Sequence, residues 1–309
     1  MQLDLSCGEG KVVPVPMTEE KETNRLPQGL YVVATPIGNL EDITLRALRV
    51  LKQADVIACE DTRHTQKLLH HYGISTRTVS YHEHNEASRA EELIAQLKKG
   101  ARVALVSDAG LPGISDPGYR VIAQAVEQGV PVVPVPGACA FVSALAASGL
   151  PTDSFEFHGF LPPKRGARRG LLEGLRESQQ TQVFYEAPHR LKETLEDIVE
   201  VLGSERRVVI ARELTKIHEE FLRGSAGEVL HQLSRGSEIK GEITLLIGRP
   251  EEGEATGSAS GKSAQQSIRQ RLAQLMSEEN LDEKTALKKV AKERGISKSE
   301  AYRELQRTK

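Results

Sequence analysis

The sequence predicts an α/β protein built as two domains. Three observations predict it. Short apolar runs such as RVALV and QVFYEA alternate with stretches whose apolar residues recur at helical spacing. Strands of that kind belong to largely parallel sheets covered by helices on both faces. The strand–helix series runs to about residue 152, and a second series follows it in a chain of 309 residues, long enough for two cores. The apolar runs of the first series end in loops rich in Gly and Pro, at the carboxyl ends of strands where open α/β sheets bind ligands.

Element by element, residues 1–28 are polar and Pro-bearing and read as a loose tail. GLYVVAT is the first strand. ITLRALRVLKQAD sets Ile43, Ala47, Val50 and Leu51 on one helical face, and DVIACED is a strand again. AEELIAQLKKG is a helix ending at Gly100, RVALVSD a strand, YRVIAQAVEQG a helix ending at Gly129, and VPVVPVPG the next strand. A helix of small residues starts near Gly137. These make a first domain, 29–152. QVFYEA, the helix RLKETLEDIVEVLG, RRVVIARE and EITLLIG make a second, 153–249, with a sheet of its own. Residues 250–265 are a low-complexity linker. Beyond them, 266–309 reads as two helices, the first ending at Gly295 and the second opened by a Ser297/Glu300 capping box.

Composition excludes more than it selects. The formal charge is −2 and apolar residues make up 39 %, so neither a nucleic acid nor an acidic surface is demanded by bulk charge. No apolar run approaches membrane-spanning length, and the N-terminus lacks a signal-peptide core. Cys7, Cys59 and Cys139 have neither metal nor disulfide spacing. A cytoplasmic protein without a membrane partner or a bound metal is expected.

The loop SDAGLPGISDPG, after the third long apolar run, is the richest in chemistry. It is not a phosphate loop: no Lys-Ser/Thr follows its glycines, and Gly110, Gly113 and Gly118 lack the dinucleotide spacing. Asp108 and Asp116 would repel phosphate. Carboxylates beside bare backbone suit a ligand with hydroxyls, an amine or a positive centre; a Pro-stiffened turn with no ligand is the competing reading. ATPIGNLEDIT and PVPGACA end neighbouring strands, so three such loops at one sheet edge would form a pocket.

The strings ATPIGNLEDIT, CEDTRHT, YHEHNE, SDAGLPGISDPGY, PVPGACA, FYEAPHR and ARELTKIHEE, in this order, resemble the ribosomal RNA small-subunit methyltransferase I family of the tetrapyrrole methylase-like superfamily. The resemblance spans about residues 29–248. It implies a two-domain class III methyltransferase fold, here with a C-terminal helical extension, that works as a homodimer. It implies S-adenosylmethionine as cofactor and, as reaction, 2′-O-methylation of a cytidine ribose in the decoding region of 16S rRNA in the 30S ribosomal subunit. Carried over by motif, Pro36, Asp108, Ala109, Gly110, Ser115, Asp116, Gly137, Ala138 and Ala140 would line the cofactor. Tyr185, Glu186, Ala211, Arg212, Glu213 and Leu214 would close its adenine side.

Transfer to a ribose hydroxyl needs in-line alignment and a proton acceptor. CEDTRHT offers Glu60, Asp61 and Arg63, which can equally cap a helix. YHEHNE offers His82, His84, Asn85 and Glu86, which can equally form a polar loop. Asp61 and His84 lead as acceptors, with Arg63 on the RNA backbone. RNA contact is expected from Lys164, Arg165, Arg168 and Arg169 in a flexible Gly/Pro setting, with Phe157, His158 and Phe160 as stacking surfaces, and from His189, Arg190 and Lys216. From Gln266 onward there are eleven Lys/Arg against seven Asp/Glu, consistent with an RNA-docking tail or with a dimer or solubility appendage. Two other functions compete: methylation of a small tetrapyrrole on the same fold, and non-catalytic RNA binding.

Overall fold

The computed structural model describes residues 25–235, 239–250, 272, 275, 276 and 282–293. The chain divides into two compact units, Met1–Ala140 and Phe141–Lys309. The Ser297/Glu300 cap, the linker and the first 24 residues lie outside the described residues.

The first unit holds β1 (Gly29–Val33), α1 (Leu45–Gln53), β2 (Val56–Cys59), α2 (Thr62–His71), β3 (Thr78–Ser80), α3 (Glu86–Lys98), β4 (Arg102–Val106), α4 (Tyr119–Glu127) and β5 (Val132–Val135). Its sheet has the order β3-β2-β4-β1-β5, and every pairing is parallel. Successive side chains on a strand point to opposite faces, which is why the runs read as continuously apolar. Tyr31, Val33, Ile57 and Cys59 pack with Ala47, Val50 and Leu51 of α1 and Leu69 of α2 on one face. Leu30, Val56, Ala58 and Leu105 pack with Leu93, Ile94 and Leu97 of α3 and Val121 and Ala125 of α4 on the other. The order reverses about β1, so the ends of β1, β2, β4 and β5 form the kind of strand-end crevice where such sheets hold ligands.

The second unit adds α5 (Ala140–Ser148, its first residue belonging to unit 1), β6 (Phe155–Phe160), α6 (Arg165–Gly174), β7 (Thr181–Glu186), α7 (Leu191–Leu202), β8 (Arg207–Arg212), β9 (Glu220–Ser225), α8 (Ala226–Ser234) and β10 (Ile243–Ile247). The sheet order is β6-β7-β10-β8-β9. Only β6 and β7 run parallel; β10 is antiparallel to both β7 and β8, and β9 to β8. Leu172 of α6, Leu191, Leu195 and Ile198 of α7 and Val229 of α8 pack on Phe184, Ile210 and Leu245. A further helix, α9 (Glu283–Glu293), contributes Ala286, Leu287, Val290 and Ala291 to a small cluster with Leu272 and Leu275.

The run after Pro163 is not a flexible basic loop: residues from Arg165 form α6. Arg168 is fully buried, its Nη2 lying 2.7 Å from Asp197 of α7, itself fully buried. Arg165 reaches Asp197 at 2.8 Å and Glu200 at 3.1 Å, and Arg169 pairs with Glu200. Burial acts against the Asp197 charge, but Arg165 and Arg168 outweigh it and hold its carboxyl below the usual range. These arginines therefore dock α6 onto α7, and Arg168 cannot meet RNA from inside the core. Of the four basic residues, Lys164 alone is exposed without such a pair. Arg190 is likewise internal, 2.6 Å from Glu186 and donating to the Leu161 carbonyl, whereas His189 is exposed.

Candidate active site

The ends of β1, β4 and β5 are drawn together by backbone. Thr35 N donates to Gly110 O at 2.9 Å and Gly110 N returns a bond to Thr35 O at 3.1 Å, a two-residue antiparallel bridge between loops that follow parallel strands. Gly110 adopts φ 81°, a left-handed conformation that favours glycine. At Gly137 a β-carbon would come within 2.9 Å of Ala34 Cβ, so only glycine lets the turn after β5 lie this close to the end of β1. Pro36, Asp108, Ala109, Gly110, Gly137 and Ala138 are thereby gathered at one edge of the sheet, as the motif spacing leads one to expect.

The end of β2 joins them through Asp61, whose backbone N–H donates to Asp108 Oδ1 at 3.1 Å. Its own side chain caps α2. Asp61 Oδ1 accepts from Arg63 N at 2.8 Å and Nε at 3.1 Å, and Oδ2 from Arg63 Nη2 at 2.8 Å. Hydrogen bonds from the Arg63 side chain and backbone hold this carboxyl well below the usual carboxylate range. Arg63 itself stays 86 % exposed.

Glu60, Glu83, Glu86, Ser115, Asp116, Pro117 and Tyr119 line a cleft of about 380 Å³. Burial and the neighbouring Asp108 raise the Glu60 pKa, with Asp61 and Glu83 adding to the effect and His82 opposing it. Burial pushes Asp116 up to about 6, and Glu60 and Asp108 act in the same direction against a hydrogen bond from Ser107. Among the described residues no Lys or Arg forms an ion pair with Glu60, Asp108 or Asp116. Like charges brought together without a cation add to burial in disfavouring ionisation of Glu60 and Asp116. The arrangement suits a ligand carrying positive charge and hydroxyl groups, and it opposes phosphate. Ser115, at φ 58°, is one of three non-glycine residues in the left-handed region among the described residues, and it lies in this cleft.

The histidines differ in placement. His84 is exposed, with its ring centroid 5.9 Å from that of His82. His82 is half-buried and its Nδ1 has no hydrogen-bond partner among the described residues. Glu83 and Tyr119 carry no motif of their own in the sequence; the one signal for Tyr119 is its place just after the Gly118 helix start, and it is 78 % exposed beside the acidic residues.

In the second unit, Tyr185 and Ala211 flank Thr244 across neighbouring strands, and Glu186 and Arg212 flank Ile243. The six carried-over residues there thus share one sheet end. Their charges are already engaged. Glu186 accepts from Thr194 Oγ1 and Ala187 N, both at 2.7 Å, besides pairing with Arg190. Arg212 pairs with Glu220, and Glu213 with Lys216 at 2.8 Å. Lys216 also lies 3.1 Å from Glu242. Backbone is what this end offers a ligand, since the Tyr185 ring packs against Phe157 and Phe160. Among the described residues no cluster of metal-ligating side chains occurs, and no helix is long and apolar enough to cross a membrane.

Residues 29–230 match the family described as Tetrapyrrole (Corrin/Porphyrin) Methylases. The chain is 49 % identical over 289 residues to the ribosomal RNA small subunit methyltransferase I of Halalkalibacterium halodurans, covering 92 % of this chain and 97 % of that protein. It is 50 % identical over 240 residues to the protein of that name from Vibrio cholerae, covering 77 % and 83 %. Among solved structures it shares its fold with a uroporphyrin-III-C-methyltransferase from Thermus thermophilus, at a TM-score of 0.51 and 23 % identity over 72 % of this chain and 94 % of that one. It also shares it with a diphthine synthase, at a TM-score of 0.55 and 15 % identity over 73 % and 92 %. With half of its residues retained across nearly the full length of a relative, and with the strand-end crevice that its motifs build, the chain belongs to the tetrapyrrole methylase family and, within it, to the ribosomal RNA small subunit methyltransferases I.

Proposed function

We propose that this protein methylates the ribose 2′-hydroxyl of a cytidine in the decoding region of 16S rRNA, using S-adenosylmethionine. The observation that supports it most is the cleft beyond the ends of β2 and β4, where Glu60 and Asp116 have no paired cation among the described residues, in a chain half-identical to rRNA methyltransferases. Its residues fit the cofactor. Asp108 and Asp116 face a ligand whose charge is a sulfonium and an amine, and the bare backbone at Gly110 admits close approach. When bound, the cofactor supplies a methyl group already activated on sulfur.

The protein's own part is to orient the ribose oxygen and to take its proton. Asp61 is poorly suited to the second task, because its carboxylate is spent on the cap and on Arg63. The acceptor role falls instead to Glu60, whose raised pKa makes it the stronger base, with His84 as the alternative. Arg63, held rigid by Asp61 and still open to solvent, contacts the rRNA backbone. Lys164 and His189 add contacts from the second unit. The active form is a cytoplasmic homodimer acting on the 30S subunit, and the basic C-terminal region assists docking.

Incubation with methyl-labelled S-adenosylmethionine and 30S subunits tests this reading. Label should appear in rRNA, in a dinucleotide that resists alkaline hydrolysis because its 2′-oxygen is blocked. Label on a nucleobase, on a uroporphyrinogen-type acceptor instead, or nowhere, would overturn it.

A further inference from the structure

We propose that Glu86 is a positioning residue for the cofactor loop: from the first turn of α3 it caps α4 externally and so fixes residues 113–118 across the crevice. The proposal rests on the reading above, that this crevice holds S-adenosylmethionine. Helix α4 starts after Gly118 and has no side-chain cap of its own. Its first N–H groups have no partners within the helix. Glu86 Oε1 lies 3.3 Å from both Gly118 N and Arg120 N. The same oxygen accepts from the Tyr81 hydroxyl at 3.0 Å, and that hydroxyl accepts in turn from Val121 N at 3.3 Å. Tyr81 is buried, so its bond to Val121 N is shielded from water, while Glu86 reaches the cleft. A negative charge at a helix N-terminus is also favoured by the aligned peptide dipoles.

The loop that this cap closes is tightly folded. A β-carbon on Gly118 would stand 3.0 Å from Gly113 N, so the backbone crosses itself there. Ser115, in its left-handed conformation, and Asp116 lie within the crossing and reach the cleft. Nothing else among the described side chains bonds to the start of α4. Glu86 also begins the helix directly after His82, His84 and Asn85, and Asn85 holds His82 N at 2.9 Å. One carboxylate therefore ties the histidine turn to the loop bearing Asp116, two segments brought together from different strand ends.

The test compares Glu86→Ala, Glu86→Gln and Tyr81→Phe in the full chain, by calorimetric titration with S-adenosylmethionine and by steady-state kinetics on 30S subunits. Loss of a charge-assisted hydrogen-bond acceptor predicts that Glu86→Ala raises the cofactor Kd and KM by roughly tenfold or more. The rate at saturating cofactor should change far less. Glu86→Gln keeps the accepting oxygen and should restore most of the affinity, with Tyr81→Phe intermediate. Folded Glu86→Ala with wild-type Kd and KM overturns the proposal, as does Glu86→Gln as impaired as Glu86→Ala. If Glu86→Ala does not fold, wild-type affinity in Tyr81→Phe overturns it. Wild-type protein that binds no S-adenosylmethionine overturns the crevice reading as well.

Discussion

The strand-end crevice and the α6–α7 contact use charge in opposite ways. In the crevice Glu60, Asp108 and Asp116 crowd together with no cation paired to them among the described residues, and the pKa of Glu60 and of Asp116 rises. Between α6 and α7, Arg165, Arg168 and Arg169 meet Asp197 and Glu200, and the Asp197 pKa falls. The first region keeps charge that a ligand can satisfy; the second has satisfied its charge internally. A conspicuous run of arginines is thus architecture, and a modest scatter of acids is the candidate for function.

The contrast can be broken in four places. Arg168→Ala leaves Asp197 buried with a single arginine, and breaking such a pair costs about 3–5 kcal/mol. Urea unfolding should register that loss, while the cofactor Kd of the folded variant stays put. Unchanged stability with weakened 30S binding would return Arg168 to the RNA surface.

Gly110→Val places a β-branched residue at φ 81°, in the loop bridged to Thr35. It should weaken S-adenosylmethionine binding by about 100-fold, about 2.7 kcal/mol. Asp108→Arg should do so comparably, by neutralising the crevice. Calorimetry at wild-type affinity for both would remove this loop from the site.

The Asp116 pKa gives a pH test. It is raised to about 6 from an ordinary 3.8, so the unfolded chain ionises first as pH rises. The stabilising contribution is fully present below about pH 4 and is lost as pH climbs through 6. Above pH 6, Asp116→Asn should exceed wild type by about 1–2 kcal/mol after allowance for solvent screening, and the two should converge below pH 4. Ionised Asp116 also favours a cation, so wild-type cofactor affinity should fall between pH 7 and 5 and that of Asp116→Asn should stay flat. A flat wild-type profile would separate Asp116 from the ligand.

The smallest effect concerns RNA. Lys164→Ala should lower the slope of log affinity against log salt by about 0.7, one phosphate contact on single-stranded RNA. Arg169→Ala should leave that slope unchanged, its charge being engaged by Glu200. A larger slope change for Arg169 than for Lys164 would reverse the assignment of the basic run.

The crevice was legible because its construction is local. Glycine and proline at strand ends mark themselves in Gly110 and Gly137, and the first sheet's strands are apolar on both faces. The second unit was harder. In α6, RGARRGLLEG places three glycines and three arginines in ten residues, and a helix whose inward face includes a buried Arg168 does not display an apolar stripe. Strands β6 and β9 lack a continuous apolar run because they are sheet edges, with polar and partly exposed residues along them. For α8 a signal existed: Ser225 and Glu228 form a capping box, readable at their spacing. Asp61 shows the limit within the site, since neither of its two roles, cap or proton acceptor, could be chosen until Arg63 was seen to occupy both oxygens.

The position of β10 has a consequence for biosynthesis. This strand, fully buried, is the last of the second sheet in chain order yet stands at its centre, between β7 and β8. Until residues 243–247 leave the ribosome, β6–β7 and β8–β9 are two separate pairs whose open edges would be exposed to other chains. The unit therefore completes its core in one late step of long sequence separation, a slow class of folding event. A nascent chain halted before residue 243 should be protease-sensitive across the whole second unit, while the all-parallel first sheet, complete at β5, is already protected.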